Sequence, residues 1–247
     1  MSKIPKIVHY CWFGGKPLPK SALKCIESWR KFLPGFEIKE WNESNFDVEE
    51  IPYIKEAYRA RKFAFVSDYA RFAILHKHGG LYFDTDVEVV KALDDILEQG
   101  AFMGCEIDGG NDSILVNPGV GIGAEAGMPL YEEIIAHYRE SHFINDDGSE
   151  NLTTVVTRTT DILKKHGLQD CMGIQRLPEV TIYPKDFFNP LNANTGQILR
   201  TENTRSIHWY SRTWAKPSEK FISFFTRPLH RLFGEDCLGW LKRLLRR

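Results

Sequence analysis

The chain has 247 residues, 43% of them hydrophobic, with 32 Lys and Arg against 33 Asp and Glu. That length and composition fit a globular chain with one good-sized core, or one core and an appendage. A net charge of −1 leaves no footprint for nucleic acid, and no apolar run is long enough for a spanning helix or shaped as a signal peptide. The five cysteines (Cys11, Cys25, Cys105, Cys171 and Cys237) are odd in number and far apart. They form no zinc or redox spacing and are expected as reduced thiols of a cytoplasmic protein.

Residues 6–11 predict a first strand that runs into Trp12-Phe13-Gly14-Gly15. The glycines lack the spacing of a phosphate loop. Trp12, at the strand's C-terminal end, is either core or a stacking platform for a nucleobase. Residues 21–32 carry Leu23, Ile26 and Trp29 at helical spacing and stop at Pro34-Gly35. Residues 36–41 predict a second strand, and residues 53–63 a basic helical stretch. Strand, helix, strand, helix, strand is the grammar of a largely parallel sheet with helices on its faces. In such sheets ligands gather beyond the C-terminal strand ends.

The central stretch is 67–89. Phe65, Tyr69, Phe72, Ala73 and His76 recur at spacings of three and four, which predicts one helix face. Asp68 and Arg71, three apart, project one turn from each other; the bland alternative is a solvated surface pair. A basic last turn (His76, Lys77, His78) and Gly79-Gly80 mark the helix end. Leu81-Tyr82-Phe83 then predicts a short buried strand ending in Asp84-Thr85-Asp86. If the chain stays extended, Asp84 and Asp86 point to one side and present two carboxylates to a divalent cation.

Residues 101–106, which end on Glu106, and residues 114–117, which end on Asn117, predict two more strands. The run that follows carries Gly119, Gly121 and Gly123. These are either packing glycines of a strand pair or a small-residue wall that lets a sugar approach the backbone. Residues 130–138 and 153–166 predict helices around a polar, mobile loop at 141–151, and residues 180–183 predict a strand. The last pattern before the tail is Ile207-His208-Trp209-Tyr210-Ser211-Arg212-Thr213-Trp214.

Taken together, Ser-Asp-x-x-Arg at 67–71 and Gly-Gly-x-Tyr-x-Asp-x-Asp at 79–86 resemble the glycosyltransferases with a DXD sugar-binding region. These include capsular-polysaccharide transferases, yeast initiating mannosyltransferases and glucosylating clostridial toxins. The N-terminal Ile-Pro-Lys-Ile-x-His-x-x-Trp-x-Gly of that family is matched from Ile4 to Gly14. The resemblance implies a GT-A-type α/β domain over residues 1–215 and transfer with retention from a nucleotide-diphosphate sugar, UDP-sugar favoured. It implies Mn²⁺ or Mg²⁺ held by Asp84 and Asp86, with His208 as a further ligand, and Trp12 on the nucleotide. Asp68, Arg71 and Tyr82 fall to the donor, Glu106 and Asn117 are candidates beside the sugar, and Trp214 is expected to donate to the leaving oxygen. The family's Ser-Trp is here Thr213-Trp214, a departure that bears on what Thr213 touches.

Residues 216–247 carry eight Lys or Arg and three acids, so this tail is net positive while the rest of the chain is net negative. Cys237, Trp240, Leu241, Leu244 and Leu245 form one apolar stripe opposite Lys242, Arg243, Arg246 and Arg247. Two readings stand for it: a terminal helix docked on the domain, and an interfacial helix on the inner face of the cell membrane, next to a glycan or lipid-linked glycan acceptor. Two rival functions also stand. A sugar-nucleotide-binding protein would bind without turnover. A Mg²⁺-dependent phosphohydrolase would want Thr or Val where Glu88 is found.

Overall fold

The structure, a computed structural model, describes residues 3–110, 112–193 and 195–211. Thr213, Trp214 and the tail from 216 lie outside the described residues. In chain order the elements are β1 (Ile7–Cys11), α1 (Lys20–Phe32), β2 (Glu37–Trp41), α2 (Pro52–Arg59), α3 (Phe63–His78), β3 (Gly80–Tyr82), β4 (Val87–Val89) and α4 (Asp94–Leu97). They continue with β5 (Phe102–Ile107), β6 (Leu115–Ala124), α5 (Pro129–Arg139), α6 (Val155–Lys165), β7 (Gln175–Arg176), β8 (Thr181–Tyr183), α7 (Lys185–Phe188) and β9 (Ser206–His208).

The main sheet has seven strands in the order β2-β1-β3-β6-β5-β8-β7, and β4 and β9 form a separate ribbon. Strands β1, β2, β3, β5 and β8 run one way, and β6 and β7 the other. This is the mixed, mostly parallel, helix-flanked sheet expected of the GT-A type. Its side chains alternate between two cores, as the two-residue period of a strand requires. Leu81, Phe83, Phe102 and Val120 pack with Trp29 of α1 and Phe188 of α7 on one face. Tyr82, Met103, Cys105, Val116 and Ile122 pack with α2, α3, α5 and α6 on the other. Helix α3 therefore lies inside the protein, with Val66, Tyr69, Ala70, Phe72 and Leu75 fully buried. Among the described residues, no helix is long and apolar enough to cross a membrane.

Two departures from expectation bear on the site. Residues 84–87 do not stay extended: the Val87 amide donates to the Asp84 carbonyl at 3.0 Å, closing a turn. The two acids therefore do not share a strand face, and the reason is the reversal needed to start β4. The polar segment at 141–151, expected to be mobile, is tied down. Glu56 accepts from the amides of Phe143 and Ile144 at 2.8 and 3.0 Å, and Ile144 bridges to Glu150.

Candidate active site

Strands β1, β3 and β5 end at the same edge of the sheet, and β6, running the other way, begins there. Trp12, Asp84, Glu106 and Asn117 are brought to that edge by this topology. Strand β6 bulges at the same place, because its register to β5 jumps from Met103↔Ile122 to Gly104↔Asn117. Pro118, without an amide hydrogen, and Gly119 occupy the bulge, residue types suited to an interrupted ladder. The Asn117 side chain locks the bend: its Oδ1 accepts from the Gly119 amide at 2.7 Å and its Nδ2 donates to Glu106 Oε2 at 2.9 Å. The Gly119 carbonyl then accepts from the Asp84 amide at 3.0 Å. A Cβ at Gly119 would run into the Asp84 carboxylate, with Arg71 Nη1 beside it. Gly119 is thus a position of close approach.

Asp68 and Arg71 are no surface pair. They are only 8% and 3% exposed, because this face of α3 is turned into the protein. Arg71 Nη2 donates to Asp68 Oδ1 at 2.7 Å and pairs with Asp84 Oδ1 at 3.3 Å. Its guanidinium lies 5.0 Å from the centre of the Tyr82 ring, and the Tyr82 hydroxyl donates to Asp84 Oδ1 at 3.1 Å. Burial opposes the charge of Arg71, but Asp84, Tyr82 and Asp68 outweigh it and keep the guanidinium charged. Burial also pushes the Asp68 carboxyl up to about 6, against the pull of Arg71, Arg158 and the Val155 amide. It raises Asp84 likewise, with the charge of Asp86 adding and Arg71 opposing. Arg71 Nη1 is buried and has no protein partner, a donor left over inside a cluster of acceptors.

Asp86 is held differently. His208 Nε2 lies 3.2 Å from its Oδ1, and its Oδ2 accepts from the Ser211 amide at 2.8 Å and the Ser211 hydroxyl at 2.9 Å. Burial works to raise the Asp86 carboxyl, but His208 and Ser211 prevail and bring it down to about 2. Burial disfavours a charged His208; the Asp86 bond and the charges of Asp86, Asp84 and Glu106 outweigh it and raise the imidazole. His208 Nδ1 is buried and unpartnered. Pairing of Val87 with His208 across the β4–β9 ribbon brings these residues together.

The donor set suits a small divalent cation. Asp86 Oδ1 and His208 Nε2 lie 3.2 Å apart, a separation that one ion can span once the imidazole gives up the proton it shares with Asp86. Among the described residues no group of three His, Cys, Asp or Glu is assembled to hold a metal; Arg71 and Tyr82 both engage Oδ1 of Asp84. A shell of two protein ligands, completed by waters and phosphate oxygens, is the usual arrangement for ions of this kind. A cleft of about 240 Å³ adjoins Asp86, lined by Ser21, Lys24 and Cys25 of α1 and by Glu88, Trp209 and Ser211. A larger cavity of about 340 Å³, around Gln99, Glu125 and Glu179, opens at the opposite edge of the sheet and touches none of these groups.

Trp12 is half-buried at the end of β1 and packs on the core below, its indole N–H donating to the Lys16 carbonyl at 2.5 Å. Thr213 and Trp214 lie outside the described residues. Sequence reasoning gave no role to Ser211 or Tyr210, and left Gly119 between a packing glycine and part of a wall that a sugar approaches. The available signal was their place: Ser211 and Tyr210 follow His208 directly, and Gly119 is two residues beyond Asn117.

Residues 19–103 match the family described as the glycosyltransferase sugar-binding region containing the DXD motif. Over 108 residues the chain is 33% identical to an uncharacterised glycosyltransferase of Acanthamoeba polyphaga mimivirus, covering 40% of this chain and 42% of that one. Over 104 residues it is 28% identical to inositol phosphoceramide mannosyltransferase 3 of Schizosaccharomyces pombe, covering 40% of this chain and 29% of that one. The chain thus spans less than half the length of the curated relatives it matches. Among solved structures, the PaToxG glycosyltransferase aligns with a TM-score of 0.48 at 15% identity, over 66% of this chain and 69% of that one. The galactosyltransferase LgtC, in complex with donor and acceptor sugar analogues, aligns with a TM-score of 0.44 at 14% identity, over 87% and 94%. The family match runs from α1 to the start of β5 and includes Asp68, Arg71, Asp84 and Asp86.

Proposed function

We propose that this protein is a metal-dependent glycosyltransferase that moves a sugar from a nucleotide-diphosphate donor to a hydroxyl of a glycan or lipid-linked glycan in surface polysaccharide synthesis. UDP-sugar is the favoured donor, and the anomeric configuration is retained. The observation that carries this reading is the Asp86/His208 pair beside the buried cluster that Arg71 makes with Asp68 and Asp84, all within or next to the DXD region. A Mn²⁺ or Mg²⁺ ion held by Asp86 and His208, with Asp84 near it, would supply Lewis-acid stabilisation of the leaving diphosphate; manganese suits the imidazole ligand better.

The chain's own residues do the rest. Arg71 Nη1, a buried donor with no partner, suits an oxygen of the donor, and Asp68 and Asp84 accept from sugar or ribose hydroxyls. Asn117 fixes the bulge at which the Asp84 carboxylate packs closely on Gly119. Glu106, oriented by Asn117, stands beside the place of the sugar. Trp12 supplies an aromatic wall for the base, and Trp214 an indole N–H for the leaving oxygen. The test is incubation of the full-length protein with Mn²⁺ and a panel of UDP- and GDP-sugars, reading nucleoside diphosphate release and transferred label. Turnover with one donor is expected, and Asp86→Ala is expected to abolish it. Donor binding without turnover, turnover in excess chelator, or release of inorganic phosphate alone would overturn the proposal.

A further inference from the structure

Segment 208–211 closes on Asp86 from three sides. His208 Nε2 meets Oδ1, the Trp209 amide donates to the Asp86 carbonyl at 2.9 Å, and Ser211 gives both its amide and its hydroxyl to Oδ2. The chain can double back in this way because Tyr210 has φ +49°, in the left-handed region; Arg61 is the other non-glycine residue with positive φ among the described residues. That conformation crowds any side chain with a Cβ and persists only where surroundings hold it.

The surroundings of Tyr210 do hold it. Its hydroxyl oxygen accepts from Asn189 Nδ2 at 2.6 Å, and Asn189, 2% exposed, is the residue that ends α7. Its ring lies 4.2 Å from the His208 ring. Ser206, at the start of β9, donates to the carbonyls of Phe188 and Val120, so the same short helix anchors both ends of the segment.

We propose that Tyr210 is a positioning residue: by holding a left-handed bend against Asn189, it keeps His208 and Ser211 closed on Asp86 and so sets the affinity for the divalent cation. This rests on the metal-dependent reading above and goes beyond it, because Tyr210 itself offers no ligand to the ion. Partners that orient a metal-binding carboxylate are commonly worth a factor of about 10 to 100 in metal affinity.

The test is a Mn²⁺ titration followed by electron paramagnetic resonance, on full-length protein, with and without UDP. Three variants are compared: Tyr210→Phe, Tyr210→Gly and Tyr210→Val. Phe removes the hydroxyl, and with it the bond to Asn189 and the interaction with Glu106, and is expected to weaken Mn²⁺ binding about tenfold. Gly accepts the bend without strain, whereas Val, branched at Cβ, resists it. Gly is therefore expected to bind Mn²⁺ more tightly than Val. A residue that merely filled space would give the reverse order, which would overturn the inference, as would wild-type affinity in Phe. Should Val fail to fold, Phe alone decides. If the wild-type protein takes up no Mn²⁺ with or without UDP, the metal-dependent reading falls and this one with it. If the wild type binds and all variants match it, only the role of Tyr210 falls.

Discussion

At the scale of single residues, Arg71 serves two acids: its single positive charge faces the buried Asp68 and the partly exposed Asp84. Removing one side of a buried ion pair leaves the other charged and uncompensated, which typically costs about 3–5 kcal/mol. Arg71→Met is accordingly expected to lower the unfolding free energy, measured by urea titration at neutral pH, by an amount of that size, and to abolish donor binding. Arg71→Lys keeps the charge without the planar fork and should fall between the two. A Met variant as stable as the wild type would mean that the acids bear their burial unaided. Gly119 makes the complementary test, by adding an atom where none fits. Gly119→Ala should displace the Asp84 carboxylate. A displacement near 1 Å at a reacting site costs about 100-fold in rate, so steady-state turnover is expected to drop by that factor while the folded state persists. Undiminished turnover would show that Asp84 can move freely.

At the scale of elements, His9 ties β1 to the end of α3. Trp41 Nε1 donates to its Nδ1 at 3.0 Å, so its Nε2 carries the hydrogen and donates to the Gly79 carbonyl at 2.9 Å; Gly79, at φ +64°, ends the helix. Burial, with the charges of His78 and Lys39, brings this histidine down from 6.5 to about 4. Below pH 6.5 the unfolded chain takes a proton that the fold refuses until about pH 4. The contribution of His9 is therefore full above pH 6.5 and is lost as pH falls to 4, about 3 kcal/mol in all. Asp68, raised by its burial, works in the opposite sense over much of that range. The difference between wild type and His9→Gln isolates the histidine, and its stability gap should narrow between pH 7 and pH 4.5. A pH-independent gap would show that the fold does not hold His9 neutral. Much of this architecture was legible in the sequence: the helix spacing of α3, its glycine stop, and the strand ending in acid all follow from local chemistry. The ribbon was not, because β4 and β9 are three residues each and meet across more than a hundred residues of chain. Asp84 and Asp86 were legible as acids but not in their geometry. Whether 84–87 runs straight or turns depends on β4 finding β9, which no local spacing reveals. Ser211 was invisible for the same reason, since a serine after aromatics says nothing of a carboxylate 125 positions earlier.

At the scale of the whole molecule, charge is divided along the chain. Residues 216–247 are net positive and everything before them net negative, and the described part of the chain ends at Ser211, on Asp86 itself. The tail begins five residues beyond that serine. Its basic residues and its Trp240, Leu241, Leu244 and Leu245 stripe have the composition that binds anionic lipid surfaces, where each Lys or Arg near the surface contributes roughly 1 kcal/mol. We propose that the tail brings the enzyme to the inner face of the membrane and to lipid-linked acceptors. The full-length protein should sediment with vesicles rich in anionic lipid at low salt and be released as ionic strength rises, because screening weakens surface attraction. A variant ending at residue 220 should stay in the supernatant yet retain Mn²⁺ and UDP binding. Two results would make the tail part of the folded domain instead: full-length protein that ignores such vesicles, or a truncation that loses its cooperative unfolding transition.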